Sequence, residues 1–161
     1  GKMSGALKGD RAALRKRAKA ALDTLSAFKL TDAAKLGAIG YCFGGTTALE
    51  IARSGAPVKG VVSFHGALGT PTPADATNIK GAVLVCHGAI DPFVPEKEVA
   101  AFKKEMADAK VNYTFIAYPG AVHSFTNPDV DRHKLNGAKY NEAAAEKSWI
   151  DMKAFFAEAF E

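Results

Sequence analysis

Cysteine is scarce in this chain. It has two, Cys42 and Cys86, in 161 residues, too few for a disulfide framework. No Cys-x-x-Cys pair occurs, and His65, His87 and His133 are not spaced as metal ligands, so nothing reads as a metal centre. No apolar run approaches the ~18 residues of a membrane-spanning helix, and no secretory leader pattern opens the sequence. Cys86 lies inside the apolar run Val83-Leu84-Val85-Cys86 and reads as a buried strand residue, so both cysteines read as free thiols in a reducing, cytoplasmic setting. Internal repeats, low-complexity tracts and interdomain linkers are also missing. The formal charge of +4 is local. Lys8, Arg11, Arg15, Lys16, Arg17 and Lys19 crowd one segment, without interleaved aromatics and without a nucleic-acid motif. They read as the solvated outer face of a helix, so neither nucleic acid nor membrane is expected as a partner.

What is present fits one globular α/β domain over residues 1–161. A chain of this length supports a single core, and 48% hydrophobic content is ordinary for a folded protein. Helix and strand patterns alternate. A helix is expected over 10–27 with Leu14, Ala18, Ala21, Leu22 and Leu25 on one face. A strand follows over 36–41, then a helix over 43–54 stopped by Gly55. Strands over 58–64, 82–87 and 113–118 are rich in Val and aromatics. Residues 69–78, with Pro71 and Pro73, read as a loop. Pro95 opens a helix with Val99, Phe102, Met106 and Ala109 as its buried stripe. A closing helix over 141–160 carries Ala145, Trp149, Met152, Phe156 and Phe160 on one side, which reads as core packing. Such alternation predicts a parallel sheet with helices on both faces.

The segment Gly40-Tyr41-Cys42-Phe43-Gly44-Gly45 carries the chemistry. An apolar strand runs into Gly-x-Cys-x-Gly and a helix follows. This is the pattern of a nucleophile elbow, with cysteine in the serine position. The nucleophile sits on a sharp, strained turn, and Gly40 and Gly44 are expected to be small because side chains there would clash. The thiol then lies at a helix N-terminus, where the dipole favours thiolate.

An acid and a base follow in chain order. Asp91, in His87-Gly88-Ala89-Ile90-Asp91-Pro92-Phe93-Val94-Pro95, comes just past the strand that ends at Cys86. His123, in Gly120-Ala121-Val122-His123-Ser124-Phe125, comes just past the strand that ends at Tyr118. Sites in open α/β sheets form at the C-terminal ends of strands. The order Cys42, Asp91, His123 matches nucleophile, acid and base of an α/β-hydrolase. In that scheme His123 takes the thiol proton and Asp91 fixes its tautomer and steadies the imidazolium. The Phe43 N–H would serve as one oxyanion donor. Tyr41, Phe43, His65, Phe93 and Phe125 are candidates for the wall of a small-molecule pocket, by position alone.

Together, Gly-Tyr-Cys-Phe-Gly-Gly, His-Gly-x-x-Asp-Pro-x-Val-Pro and Gly-x-x-His-Ser-Phe resemble the dienelactone hydrolase family from about Leu36 to the C-terminal helix. The resemblance implies an α/β-hydrolase fold and a Cys42–His123–Asp91 triad. It implies hydrolysis of an enol-lactone or related activated ester through a thioester, without metal or organic cofactor. Two departures stand out. Family members that open dienelactone carry an Arg a few residues after the catalytic His, where this chain has Asn127; Arg132 is the nearest Arg downstream. The family domain also has several strands before the elbow strand. Their apparent absence leaves one oxyanion donor unassigned and the elbow strand at an exposed edge, an association hazard. Either an N-terminal half or a second copy of the chain is expected to cover it. Two rivals fit part of the pattern. An amidotransferase- or glyoxalase-like enzyme also carries Cys on such a turn but has no need of Asp91, and a non-catalytic thiol or binding remnant has no need of a triad.

Overall fold

The structure is a computed structural model that describes Gly5, Leu7 and residues 9–161; Lys8 of the basic run lies outside them. Helix α1, Arg11–Ser26, begins where the Asp10 side chain accepts from the Ala13 N–H at 2.9 Å, a cap for an otherwise orphaned donor. Strand β1, Gly37–Tyr41, leads into α2, Phe43–Arg53. Strand β2, Gly60–Phe64, precedes a 3₁₀ helix, Pro73–Asn78, which replaces the loop expected there. Pro73 fixes φ at its start. Strand β3, Ala82–Gly88, is followed by α3, Glu96–Asp108, capped by Pro95, and by β4, Tyr113–Tyr118. A second 3₁₀ turn, Val130–His133, leads to α4, Glu142–Ala159.

The strands form one parallel sheet in the order β1-β2-β3-β4. Alternation along β2 and β3 divides the core. Val61, Val83 and Val85 face α1, α2 and α3 through Leu22, Leu49, Phe102 and Met106. Val62, Phe64, Leu84 and Cys86 face α4 through Ala144 and Met152, with Phe125 beside them. Helices therefore cover both faces, as βαβ connections require. Each fully buried Val or Leu contributes roughly 1.5–3 kcal/mol of burial, so the two central strands dominate the fold. Strand β1 lies at an edge, where Ile39 remains 46% exposed and Tyr41 41%.

Three details differ from the sequence pattern. In α1 Leu14 and Leu22 are buried, but Ala21 and Leu25 are exposed, so the apolar stripe is narrower. Part of the basic run turns inward: Arg15 pairs with the buried Glu50 at 2.8 Å and with Asp75 at 2.6 Å. In α4 the buried positions are Ala144, Ser148 and Met152, with Phe156 packed against the same core; Met152 and Phe156 belong to the expected stripe, whereas Trp149 is 49% exposed. The Ser148 hydroxyl is accommodated there by donating to the Ala145 carbonyl at 2.8 Å.

The helix behind the elbow is pinned from the far side. Arg53 is buried at the end of α2, bonded to Glu50 at 3.0 Å and to Glu105 of α3 at 2.7 Å, and it donates to the Leu68 carbonyl. Buried charges of this kind demand full pairing, which fixes α2 against α3.

Candidate active site

Cys42 sits between β1 and α2 with φ 53° and ψ −118°, a strained conformation for a side-chain-bearing residue. Its N–H continues the parallel ladder to the Phe64 carbonyl at 2.9 Å, and its carbonyl accepts from Thr46 at 3.2 Å. Strand and helix hydrogen bonds thus grip both sides of the turn. A Cβ on Gly40 would lie 2.0 Å from the Gly44 carbonyl oxygen, so Gly40 is obligatory. Gly44 is not, for the space around its Cβ position is open. The second close approach falls one residue later, where a Cβ on Gly45 would meet Ser63 Oγ at 2.5 Å. The steric demand expected at Gly44 belongs to Gly45, because the helix turns that residue toward β2.

The acid and base loops emerge together at the C-terminal ends of β3 and β4. Ala89 N–H donates to the Tyr118 carbonyl at 3.0 Å and Ile90 N–H to the Ala121 carbonyl at 3.1 Å. Gly88 permits this closeness, since a Cβ there would lie 2.6 Å from the Val122 oxygen. The His123 backbone is held by the 137–139 segment, from Gly137 O at 3.2 Å to Lys139 N at 3.1 Å. Gly137 has φ +85° and abuts Pro92.

These loops bring the predicted residues together. Asp91 Oδ2 lies 2.8 Å from His123 Nδ1, and His123 Nε2 lies 3.2 Å from Cys42 Sγ. Asp91 Oδ1 accepts from the Phe93 N–H at 2.8 Å. Burial alone would lower the basicity of His123. The bonds and charges of Asp91 and Cys42 outweigh it, and His123 is raised to about 9. The imidazole is therefore held protonated at neutral pH beside the thiol, an arrangement that favours the thiolate. Cys42 is exposed, whereas Cys86 is buried and its thiol is pushed up to about 12 by that burial. Phe43 is the first residue of α2, so its N–H belongs to the helix terminus.

A cavity of about 660 Å³ opens beside Cys42. Tyr41 and His65 line it, with Phe64, Thr126, Asn127, Glu146 and Trp149. Tyr41 stacks on Phe64 with ring centroids 4.6 Å apart. His65 is buried at φ 40°, sits 5.2 Å edge-on to His123, and shares a 2.8 Å hydrogen bond with Thr126. Burial, then the charge of His123, lowers it to about 4, which keeps it neutral. Phe93 flanks His123 edge-on at 5.1 Å, away from this lining. Phe125 is not a wall residue: it is fully buried, packed behind His65 and Tyr118. Its neighbours Ser124 and Thr126 face the cavity instead, because Ser124 at φ 56° reverses the chain. Asn127 lines the cavity, whereas Arg132 is solvent-exposed and pairs with Asp129.

Sequence reasoning missed Thr126, Glu146 and Trp149. Trp149 was legible only as part of a helical apolar stripe. It lines the cavity, half exposed, whereas Met152 of the same stripe is buried. Among the described residues no cluster of three or more His, Cys, Asp or Glu is placed to hold a metal ion, and no helix is long and apolar enough to cross a membrane.

A parallel sheet with a cysteine elbow, and with Asp and His loops converging beyond the next strand ends, defines an α/β-hydrolase-type site. The chain belongs to the dienelactone hydrolase family, whose model matches residues 2–160. It is 35% identical over 152 residues to an uncharacterized protein of Caenorhabditis elegans, covering 91% of this chain and 94% of that one. It is 33% identical over 128 residues to a putative carboxymethylenebutenolidase of Saccharolobus solfataricus, covering 75% of this chain and 43% of the relative. Among solved structures it resembles a dienelactone hydrolase-like promiscuous phosphotriesterase from metagenomic libraries. That match has a TM-score of 0.92 and 43% identity over 98% of this chain and 66% of that one. The chain thus spans less than half of the archaeal relative's length and about two thirds of the metagenomic enzyme's.

Proposed function

We propose that this chain carries the nucleophile, base and acid of a hydrolase acting on activated esters or lactones. The observation that supports it is the unbroken chain of contacts from Asp91 through His123 to Cys42, 2.8 and 3.2 Å. In this reading the Cys42 thiolate attacks the carbonyl carbon. The resulting oxyanion is stabilised by the Phe43 N–H and a second donor. Collapse expels the leaving oxygen, which takes the proton of the His123 imidazolium, and a Cys42 thioester remains. Water then attacks the thioester, its proton passes to His123, and the acid is released with the thiolate regenerated. Thiolate attack suits good leaving groups, because a tetrahedral adduct otherwise expels the thiolate. Enol-lactones and aryl esters therefore fit better than amides.

The second oxyanion donor is expected from polypeptide along the edge of β1 that is open among the described residues, contributed by further chain or by a second copy. Losing one such donor costs roughly 10²–10³ in rate, so the isolated chain is expected to be slow. The metagenomic relative favours a second substrate class, neutral aryl phosphotriesters, attacked at phosphorus by the same thiolate. The test is a rapid-mixing assay with p-nitrophenyl acetate. A nitrophenolate burst with a 42 Da acetyl increment on Cys42 supports the reading, as does loss of both in Cys42→Ala. Equal turnover by Cys42→Ala would remove it.

A further inference from the structure

The cavity beside Cys42 is charged in an uneven way. Its walls are largely aromatic, from Tyr41, Phe64, His65 and Trp149, and among the described residues neither Lys nor Arg lines it. Besides Cys42, Glu146 is the charged side chain of the lining among the described residues. Glu146 is exposed on α4, between Ala145 and Ser148 of the same lining. Lys147, next to Glu146 in sequence, pairs with Asp151, and Arg132, the nearest Arg downstream of His123, pairs with Asp129. His65 adds no charge, since burial keeps its ring neutral.

Resting on the hydrolase reading above, we infer that Glu146 makes this a pocket for neutral or cationic aryl substrates and a poor one for substrates bearing a carboxylate. The warrant is ordinary electrostatics. One carboxylate lining the same cavity as the reacting atom repels an anion and attracts a cation, by a factor of a few in partly screened surroundings. The aromatic walls act in the same direction, because a ring face attracts a cation and gives an anion no partner. The cation beside the thiol, the His123 imidazolium, is already engaged by Asp91 and Cys42, so a carboxylate entering the cavity would lose water without a Lys or Arg of the described lining to replace it, a desolvation cost without compensation.

The test does not depend on turnover. Cys42 is titrated with two methanethiosulfonates of similar size, one carrying a trimethylammonium group and the other a sulfonate. In each case the thiolate attacks the sulfenyl sulfur, a mixed disulfide forms and methanesulfinate leaves. Rates are read by mass spectrometry in the wild type, Glu146→Gln and Glu146→Lys. The cation-to-anion rate ratio is expected to fall roughly threefold in Glu146→Gln and further in Glu146→Lys, and to shrink at 0.5 M salt in the wild type. An unchanged ratio across the three proteins overturns the inference. Hydrolysis of p-nitrophenyl butyrate and p-nitrophenyl hemisuccinate separates the two readings. Butyrate turnover with a flat reagent ratio overturns the charge selection alone. A shifted ratio with no turnover of either ester leaves charge selection standing and removes the hydrolase.

Discussion

Asp91 Oδ2 lies 2.8 Å from His123 Nδ1, with the acid's side chain wholly buried and that of the base 12% exposed. A buried carboxylate that accepts from both an imidazole and a backbone N–H holds the ring in one orientation, with Nε2 toward Cys42. Asp91→Asn is expected to lower kcat/KM on aryl esters by roughly 10²–10⁴, because the amide favours the wrong tautomer and cannot stabilise the imidazolium. Steady-state kinetics measure this. A variant with the wild-type rate would leave Asp91 a turn residue and return the amidotransferase-like reading to contention.

Iodoacetamide reports on the thiol directly. His123 is raised to about 9, so it remains an imidazolium through neutral pH and keeps Cys42 reactive there. Cys42 labelling is expected to stay fast well below pH 8.5, the free-thiol value of about 8.5 being the reference. Cys86, pushed up to about 12 by burial, is expected to stay silent. His123→Ala should bring Cys42 labelling to an ordinary thiol profile. Indistinguishable profiles for Cys42 and Cys86 would contradict the geometry.

The two site histidines also set opposite slopes on stability. His123 is raised above its usual 6.5 to about 9, so its contribution is full below pH 6.5 and is lost as pH rises through 9. His65 is lowered to about 4 by burial, and His87 is lowered for the same first reason. Between pH 6.5 and 4 the unfolded chain binds more protons at these two sites, so stability falls as pH falls. Urea midpoints are therefore expected to peak near pH 6.5. Asp91→Asn should flatten the alkaline arm and His65→Phe part of the acidic arm. A profile unaltered by Asp91→Asn would mean that His123 titrates alike in both states.

The elbow glycines separate on substitution. Gly40→Ala places a Cβ 2.0 Å from a backbone oxygen that cannot retreat, and a loss of about 3 kcal/mol or more is expected. Gly44→Ala meets open space inside a helix, and a gain of about 0.4–1 kcal/mol is expected from the stiffer unfolded chain. Thermal melts of the two variants decide this. Equal destabilisation would show that the turn shifts to relieve Gly40.

Much of this was legible because it is local. Each strand appears in sequence as a β-branched or aromatic run, and the Cys42, Asp91 and His123 motifs occupy the strand ends that a parallel sheet gathers at one edge. What was not legible depends on rotation and packing across the chain. The face of α4 is fixed by its packing against β2 and β3, so Trp149 came to the cavity instead of the core, with Glu146 in the same lining. Phe125 came to the core, with Ser124 and Thr126 in the lining beside it, where Ser124 takes φ 56°. Arg15 turned inward because Glu50 and Asp75, distant in sequence, await it.

Strand β1 has a hydrogen-bonding neighbour on one side, β2, among the described residues. Its ladder to β2 runs through Leu36 O and Cys42 N, which by alternation turns the backbone groups of Ile39 outward. A parallel edge with Ile39 and Tyr41 exposed is a template for another strand. The chain alone is expected to elute from a sizing column in a concentration-dependent way above its 16.9 kDa mass. Ile39→Lys, which places a charge on that edge, is expected to return it to the monomer position. A wild-type chain that stays monomeric and fully folded at high concentration would show that the edge protects itself, and the second oxyanion donor would then have to come from within these residues.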